Sequence, residues 1–241
     1  MKLDILVTTA HPDDAEAAMG GTILKLLDQG KKVGIIDFTR GELGTRGNAE
    51  TRMQEAAEAD KRLGLTARVN LGFRDGFFLC DENHILKMVQ VIRHFQPEIV
   101  FSNPVSDRHP DHGRANQIVK EAAFLSGLIK IETWDEQGAA QAPWRPKRIF
   151  HYIQSCQHEP DFIVDISQYW AKKCHALRAY QTQFHSEEKT CDDPETPISK
   201  NGFWDYFEAR ARVLGSEIGS AYAEGFIAEK ALKIDNILSL A

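Results

Sequence analysis

Leu3-Asp4-Ile5-Leu6-Val7-Thr8-Thr9-Ala10-His11-Pro12-Asp13-Asp14-Ala15-Glu16 is the stretch on which the fold turns. Residues 3–8 form an apolar, β-branched-rich run and predict a buried first strand. From residue 16 to 28, Met19, Ile23, Leu24, Leu26 and Leu27 recur at helical spacing, and Gly30 ends that helix. A strand that runs through a short polar turn into a helix is the first half of a βαβ unit. Outward from it the alternation continues. Further strands are predicted at 32–38, 68–71 and 98–102. Further helices are predicted at 49–63, closed by Gly64, at 85–95, stopped ahead of Pro97, and at 111–125. This predicts an α/β fold: a Rossmann-like, doubly wound, mostly parallel sheet with helices on both faces and right-handed crossovers.

The second half is less regular. Strands are expected at 148–153 and 162–166, helices at 169–180 and 203–214, and a long loop at 181–201, a length that usually carries function. The expectation is one domain over residues 1–241 with an irregular C-terminal extension; the stretch 139–146 is a weak linker signal and no boundary is placed there. The 241 residues are 42% hydrophobic and 27% charged, enough for a sizeable core. A net charge of −6 argues against a general nucleic-acid binder. There is no signal-peptide pattern at the N-terminus and no apolar run of membrane-spanning length, so a soluble, cytoplasmic protein is expected. Cys80, Cys156, Cys174 and Cys191 are widely spaced and are read as reduced thiols.

Two segments carry chemistry. Ala10-His11-Pro12-Asp13-Asp14-Ala15-Glu16 follows the first predicted strand, and Asp107-Arg108-His109-Pro110-Asp111-His112 follows the fourth. In a sheet of order 3-2-1-4 those strands are neighbours. Their connections leave in opposite directions, and ligands bind in the crevice above such a switch point. Alone, each His-Pro-Asp is also a plain turn with a helix cap; two of them facing one crevice are not so easily dismissed. His11 and Asp14, three apart, can point the same way, and His112 can join from the opposite loop. Two imidazoles and a carboxylate suit Zn²⁺ with one position left for water, as in a catalytic site, and Fe²⁺ suits the same ligands. Asp13 is then placed as general base, His109 to stabilise an oxyanion or protonate a leaving amine, and Asp111 to orient an imidazole. A non-haem iron oxygenase is disfavoured, since those commonly carry His-x-Asp on an all-β scaffold. Arg40, Arg46, Arg52 and Arg108 cluster around the same loops in an acidic protein and point to an anionic substrate. Gly41, Gly44 and Gly47 make their loop look adaptable. His185, in the long loop, is a further candidate for substrate contact. Met19-Gly20-Gly21-Thr22 lacks the dinucleotide pattern, and its glycines are read as close-packing positions under the site.

At these segments the sequence resembles the PIG-L/LmbE-like deacetylases, with Ala-His-Pro-Asp-Asp at 10–14 and His-Pro-Asp-His at 109–112 as the two defining motifs. The segments 39–47, 50–52, 207–212 and 222–226 are similar to one branch, the bacillithiol-biosynthesis deacetylases of the BshB type. The resemblance implies a zinc-dependent hydrolase of N-acetylglucosamine conjugates. His11, Asp14 and His112 match its zinc ligands, Asp13 its general base, His109 its assisting histidine and Arg52 a substrate-contacting arginine. It implies N-acetylglucosaminyl malate as substrate, with inositol-linked or chitooligosaccharide substrates as alternatives, and a homo-oligomer, hexamers included. Two readings from other classes stand beside it. A nucleotide-binding oxidoreductase lacks its Gly-x-Gly-x-x-Gly here, and a non-catalytic metal binder does not account for the open coordination position beside Asp13.

Overall fold

A computed structural model describes residues 1–184 and 193–240. Seven strands form a single sheet: β1 (Ile5–Thr9), β2 (Val33–Asp37), β3 (Ala67–Asn70), β4 (Ile99–Ser102), β5 (Arg148–Tyr152), β6 (Phe162–Asp165) and β7 (Ala223–Ala228), in the spatial order β3-β2-β1-β4-β5-β7-β6. The first five strands pair in parallel, with β1 between β2 and β4 (Ile5 opposite Val33 and Ile99). Each residue of β1 is buried, as its unbroken apolar run requires of a strand covered on both faces. This is the predicted doubly wound sheet, with the switch point between β1 and β4.

Six helices accompany the sheet: α1 (Asp14–Asp28), α2 (Ala49–Leu63), α3 (Glu82–Phe95), α4 (Pro110–Leu125), α5 (Trp170–Leu177) and α6 (Phe203–Glu217). Their starts follow local chemistry. The Asn48 and Asp81 side chains accept from the third residue onward, Thr51 N and His84 N, and Pro110 opens α4 where its missing N–H costs nothing. One core face packs α3 and α4 through Met88, Val89, Ile92, Ile118 and Val119; the other packs α1 through Met19, Ile23 and Leu24 against Val7 and Ile35.

The second half departs from expectation in one element. β7 was not legible as a strand, and it runs antiparallel between β5 and β6. Its Ala223-Glu224-Gly225-Phe226 carries a buried acid and a glycine where a strand pattern shows apolar residues. The acid has a specific task. Helix α1 breaks at Met19 (φ −141°, ψ 21°), which leaves the next turn without helical partners for its N–H groups. Glu224 accepts from Gly21 N (2.9 Å), Thr22 N (2.7 Å) and Thr22 Oγ1 (2.6 Å), so it caps the second half of α1 from another strand. Gly21 is required by the same packing, since a Cβ there would lie 2.7 Å from Ile166. The predicted close approach under the site is therefore present.

Of the expected 181–201 loop, residues 185–192 lie outside the described residues, His185 and Cys191 among them. Cys80, Cys156 and Cys174 are free thiols. No helix among the described residues is long and apolar enough to cross a membrane.

Candidate metal centre and its cleft

The carboxyl ends of β1 and β4 open into a cleft of about 600 Å³, and His11, Asp13, Asp14, Arg108, His109 and His112 all line it. The two sequence-distant loops thus meet where the topology places a crevice. The rings of His11 and His112 stand 5.7 Å apart between centroids, and His109 lies 4.6 Å from His11 and 5.4 Å from His112. One nitrogen from each of these three rings falls within 4.8 Å of the others.

Asp14 sits between the two outer rings. Its Oδ2 is 3.7 Å from His11 Nδ1 and its Oδ1 3.4 Å from His112 Nε2. The other nitrogen of each ring is held by carboxylates: His11 Nε2 by Asp75 (3.0 Å) and Asp111 (3.3 Å), His112 Nδ1 by Asp107 (2.6 Å). A ring that gives its outer N–H to a carboxylate presents its inner nitrogen as a lone pair, the arrangement metal-binding histidines adopt. His11, Asp75 and Asp111 also converge within 4.8 Å. The distances from His11 Nε2 to both acids are those of N–H···O bonds, so this second grouping orients the ring. The donor set therefore fits a divalent cation.

Electrostatics agree. Burial opposes charge on His112, yet Asp14 and Asp107 more than offset it and push its pKa up to about 9. Burial likewise works against ionised Asp14, and His112 and His11 overcome it and hold that carboxyl well below its usual range. This pocket favours positive charge between its rings. His109 differs: burial and the neighbouring His11 and His112 lower its pKa, and its Nδ1 accepts from Asp111 N, which leaves Nε2 as the N–H of a neutral ring.

Asp13 is set apart from Asp14 by backbone geometry. At φ 99° it is one of two described non-glycine residues at positive φ, and it makes no side-chain cap to α1. Such strain persists where surrounding contacts impose it, typically at working sites. Here the contact is Arg52, whose Nη2 donates to Pro12 O and to Asp13 Oδ2 (3.0 Å). Burial pushes the Asp13 pKa up to about 7, against the pull of Arg52.

The four arginines separate. Arg52 lines the cleft but is occupied by Asp13 and Pro12, and Arg108 lines it from an exposed position at the lip. Arg46 is buried beneath the loop, outside the lining, and Arg40 is exposed and away from the cleft. The glycine loop is also less adaptable than its sequence implied. A Cβ on Gly41 (φ +65°) would lie 3.0 Å from the Arg52 guanidinium, and Leu43 N is tied to Asp75 Oδ2. The loop wraps the arginine closely.

Sequence reasoning gave no role to four residues, Asp75, Asn103, Gln154 and, within the second quoted segment, Asp107. Asn103 Nδ2 and Gln154 Nε2 donate to the two oxygens of Asp14, and Asn103 Oδ1 accepts from Ala10 N. All four lie just past the carboxyl ends of β3, β4 or β5. That position, rather than any motif, was the available signal.

Comparison with known proteins agrees with the geometry. The family model for PIG-L, GlcNAc-PI de-N-acetylase, matches residues 6–123, from β1 into α4, and so takes in both histidine loops. The chain carries a PIG-L family domain, and its relatives and structural neighbours include deacetylases, which are hydrolases. A conserved protein of Thermus thermophilus has the same fold, with a TM-score of 0.84 and 35% identity over 97% of this chain and 98% of that one. The diacetylchitobiose deacetylase of Thermococcus kodakarensis is 28% identical over 231 residues, 92% of this chain and 81% of that protein. The "Probable N-acetyl-alpha-D-glucosaminyl L-malate deacetylase 2" of Bacillus cereus is 27% identical over 202 residues, 76% of this chain and 84% of that protein.

Proposed function

We propose that the chain removes the acetyl group from an N-acetylglucosamine conjugate, with N-acetylglucosaminyl malate as the foremost substrate and bacillithiol biosynthesis as its setting. His11, Asp14 and His112 would hold the metal, for which Zn²⁺ is the first choice and Fe²⁺ the second. The observation that carries this is the meeting of those three donors with Asp13 on one cleft wall. Malate as the substituent draws on the Bacillus cereus relative and on Arg108 at the lip, where a guanidinium suits a carboxylate. The Thermococcus relative supports the alternative of a chitooligosaccharide. The same reading makes the protein cytoplasmic and a homo-oligomer.

A dication in this position supplies an acidified water and polarises the amide carbonyl. The chain's own residues do the rest. Asp13, held by Arg52 through one oxygen, takes the proton of the attacking water. His109 donates its Nε2–H to the oxyanion that develops on the amide carbonyl, the type of contact that usually contributes most. The C–N bond breaks, the nitrogen receives its proton from Asp13 or His109, and acetate leaves. Asp75, Asp107 and Asp111 keep the two ligand rings in one orientation throughout. Arg52 is thereby a positioning residue for the base.

The experiment is amine release from malate-, inositol- and chitobiose-type N-acetylglucosamine substrates by zinc-loaded protein, with and without chelator. Turnover that a chelator abolishes and zinc restores is expected, fastest with the malate conjugate. Metal-loaded protein that releases amine from none of the three overturns the reading.

A further inference from the structure

His151, on β5 opposite Ser102 of β4, is 1% exposed, and the chemistry above leaves it without a role. Its Nδ1 lies 2.8 Å from Asn116 Nδ2 on α4, and its Nε2 lies 2.9 Å from Glu229 Oε2, just past β7. The same Asn116 Nδ2 donates to Asn103 O at 2.7 Å. A carbonyl can only accept, so that end of Asn116 is its NH₂, and its second hydrogen points to a lone pair on His151 Nδ1. His151 is thereby fixed as the neutral ring with its hydrogen on Nε2, which donates to Glu229. Burial favours that state and lowers the pKa of His151 against the pull of Glu229. Glu229 Oε1 takes Lys120 Nζ at 2.9 Å, and this ion pair is the partly exposed end of the chain of bonds.

The other end is the cleft. Asn103 is fully buried, and its Oδ1 takes Ala10 N, which turns its Nδ2 to Asp14 Oδ2 at 3.1 Å. Turning over either amide would set two acceptors against each other, and moving the ring hydrogen to Nδ1 would set two donors against each other. The links therefore run in one sense only. A buried neutral chain of this kind contributes little stability beyond apolar side chains of the same size. It fixes an orientation instead, and that orientation ends on a carboxylate between His11 and His112.

We propose that His151 is a positioning residue for Asp14: its Nδ1 lone pair holds Asn116, Asn116 holds the main chain at Asn103, and the Asn103 amide holds Asp14 Oδ2 in place for the cation. This rests on Asp14 being a metal ligand, the reading given above, and adds to it a residue three hydrogen bonds away.

Amide side chains stand in for the two ring nitrogens separately, an Asn oxygen near the place of Nδ1 and a Gln amide near that of Nε2. Zinc affinity of the full chain, titrated against a competing chelator well below each variant's melting temperature, reads the outcome. His151→Gln keeps a donor for Glu229 and loses the acceptor for Asn116. Zinc about two- to tenfold weaker is expected, the worth of one neutral hydrogen bond. His151→Asn keeps that acceptor and is expected to recover most of the affinity. A role in packing alone would lower the melting temperature of both and leave the zinc affinity of the folded protein as it was. A His151→Gln protein that binds zinc as wild type does, or a His151→Asn protein weakened no less than His151→Gln, overturns the proposal. Should neither variant fold, the wild-type ring decides. Imidazole nitrogen NMR is expected to show the Nε2–H tautomer and a shift of the His151 Nδ1 resonance on adding zinc. The Nδ1–H tautomer, or a ring blind to zinc, overturns it as well. Wild-type protein that binds no zinc ends the metal reading and this one with it; in every other failure the metal reading stands.

Discussion

His-Pro-Asp stands at 11–13 and again at 109–111, and the fold sets the two copies in different frames. In the first, the helix begins after the motif, at Asp14, so His11 lies ahead of the cap and Asp13 is itself the cap residue, at positive φ with its carboxylate turned to Arg52. In the second, the helix begins inside the motif, at Pro110, and the cap is His109 in extended conformation. Asp111 is then a helical residue, fully buried, bound to Arg114, Gly76 N and His11. The same acid is a cleft-facing group in one copy and a buried strut in the other. The histidines exchange in the same way: His11 is flanked by Asp14, whereas in the second loop His112, not His109, faces Asp14. What differs is where the helix starts relative to the letters.

The largest effect should come from that exchange. His112→Ala is expected to lose the metal and with it all chelator-sensitive turnover. His109→Ala keeps the metal and loses roughly 10²–10³-fold in kcat, as for a removed oxyanion donor. Elemental analysis beside amine release separates the two, and a metal-free His109→Ala protein would reverse the assignment. Asp13→Asn should retain metal and fall roughly 10²–10⁴-fold in rate, the ordinary contribution of a general base. Normal turnover by that variant removes Asp13 from the chemistry and erases the distinction between the two motif copies.

The sequence made the first half legible to this depth because its signals are local. An unbroken apolar run, a helical period and a polar turn between them placed β1, α1, β4 and α4, and the switch-point rule then brought residues 11–14 and 109–112 together. It did not make β7 legible, because Glu224 is there to cap a break in α1 about two hundred residues away in the chain, a long-range need that leaves no period behind. Arg40 and Arg52 looked equivalent for a related reason. Both follow β2, but only Arg52, in the first turn of α2, reaches Asp13. Spacing fixes neighbours on one element, and which elements then share a wall is settled by packing.

The acids behind the two rings provide the finest test. Asp107 takes His112 Nδ1 and Ser155 N on Oδ2 and Cys156 N on Oδ1. Asp107→Asn must therefore set its NH₂ against an N–H on one side or the other, and metal affinity should fall by about 10–100-fold, the usual cost of losing such a partner. Asp111→Asn meets the same problem, with donors on both oxygens. Yet His11 Nε2 keeps a second acceptor, Asp75, at the shorter distance of 3.0 Å. Its loss of affinity should be the smaller of the two, and the Asp75→Asn, Asp111→Asn pair should match Asp107→Asn. Zinc titration against a competing chelator reads all three. If Asp111→Asn alone equals Asp107→Asn, the two rings are not supported unequally, and the difference between the loops ends at their first residues.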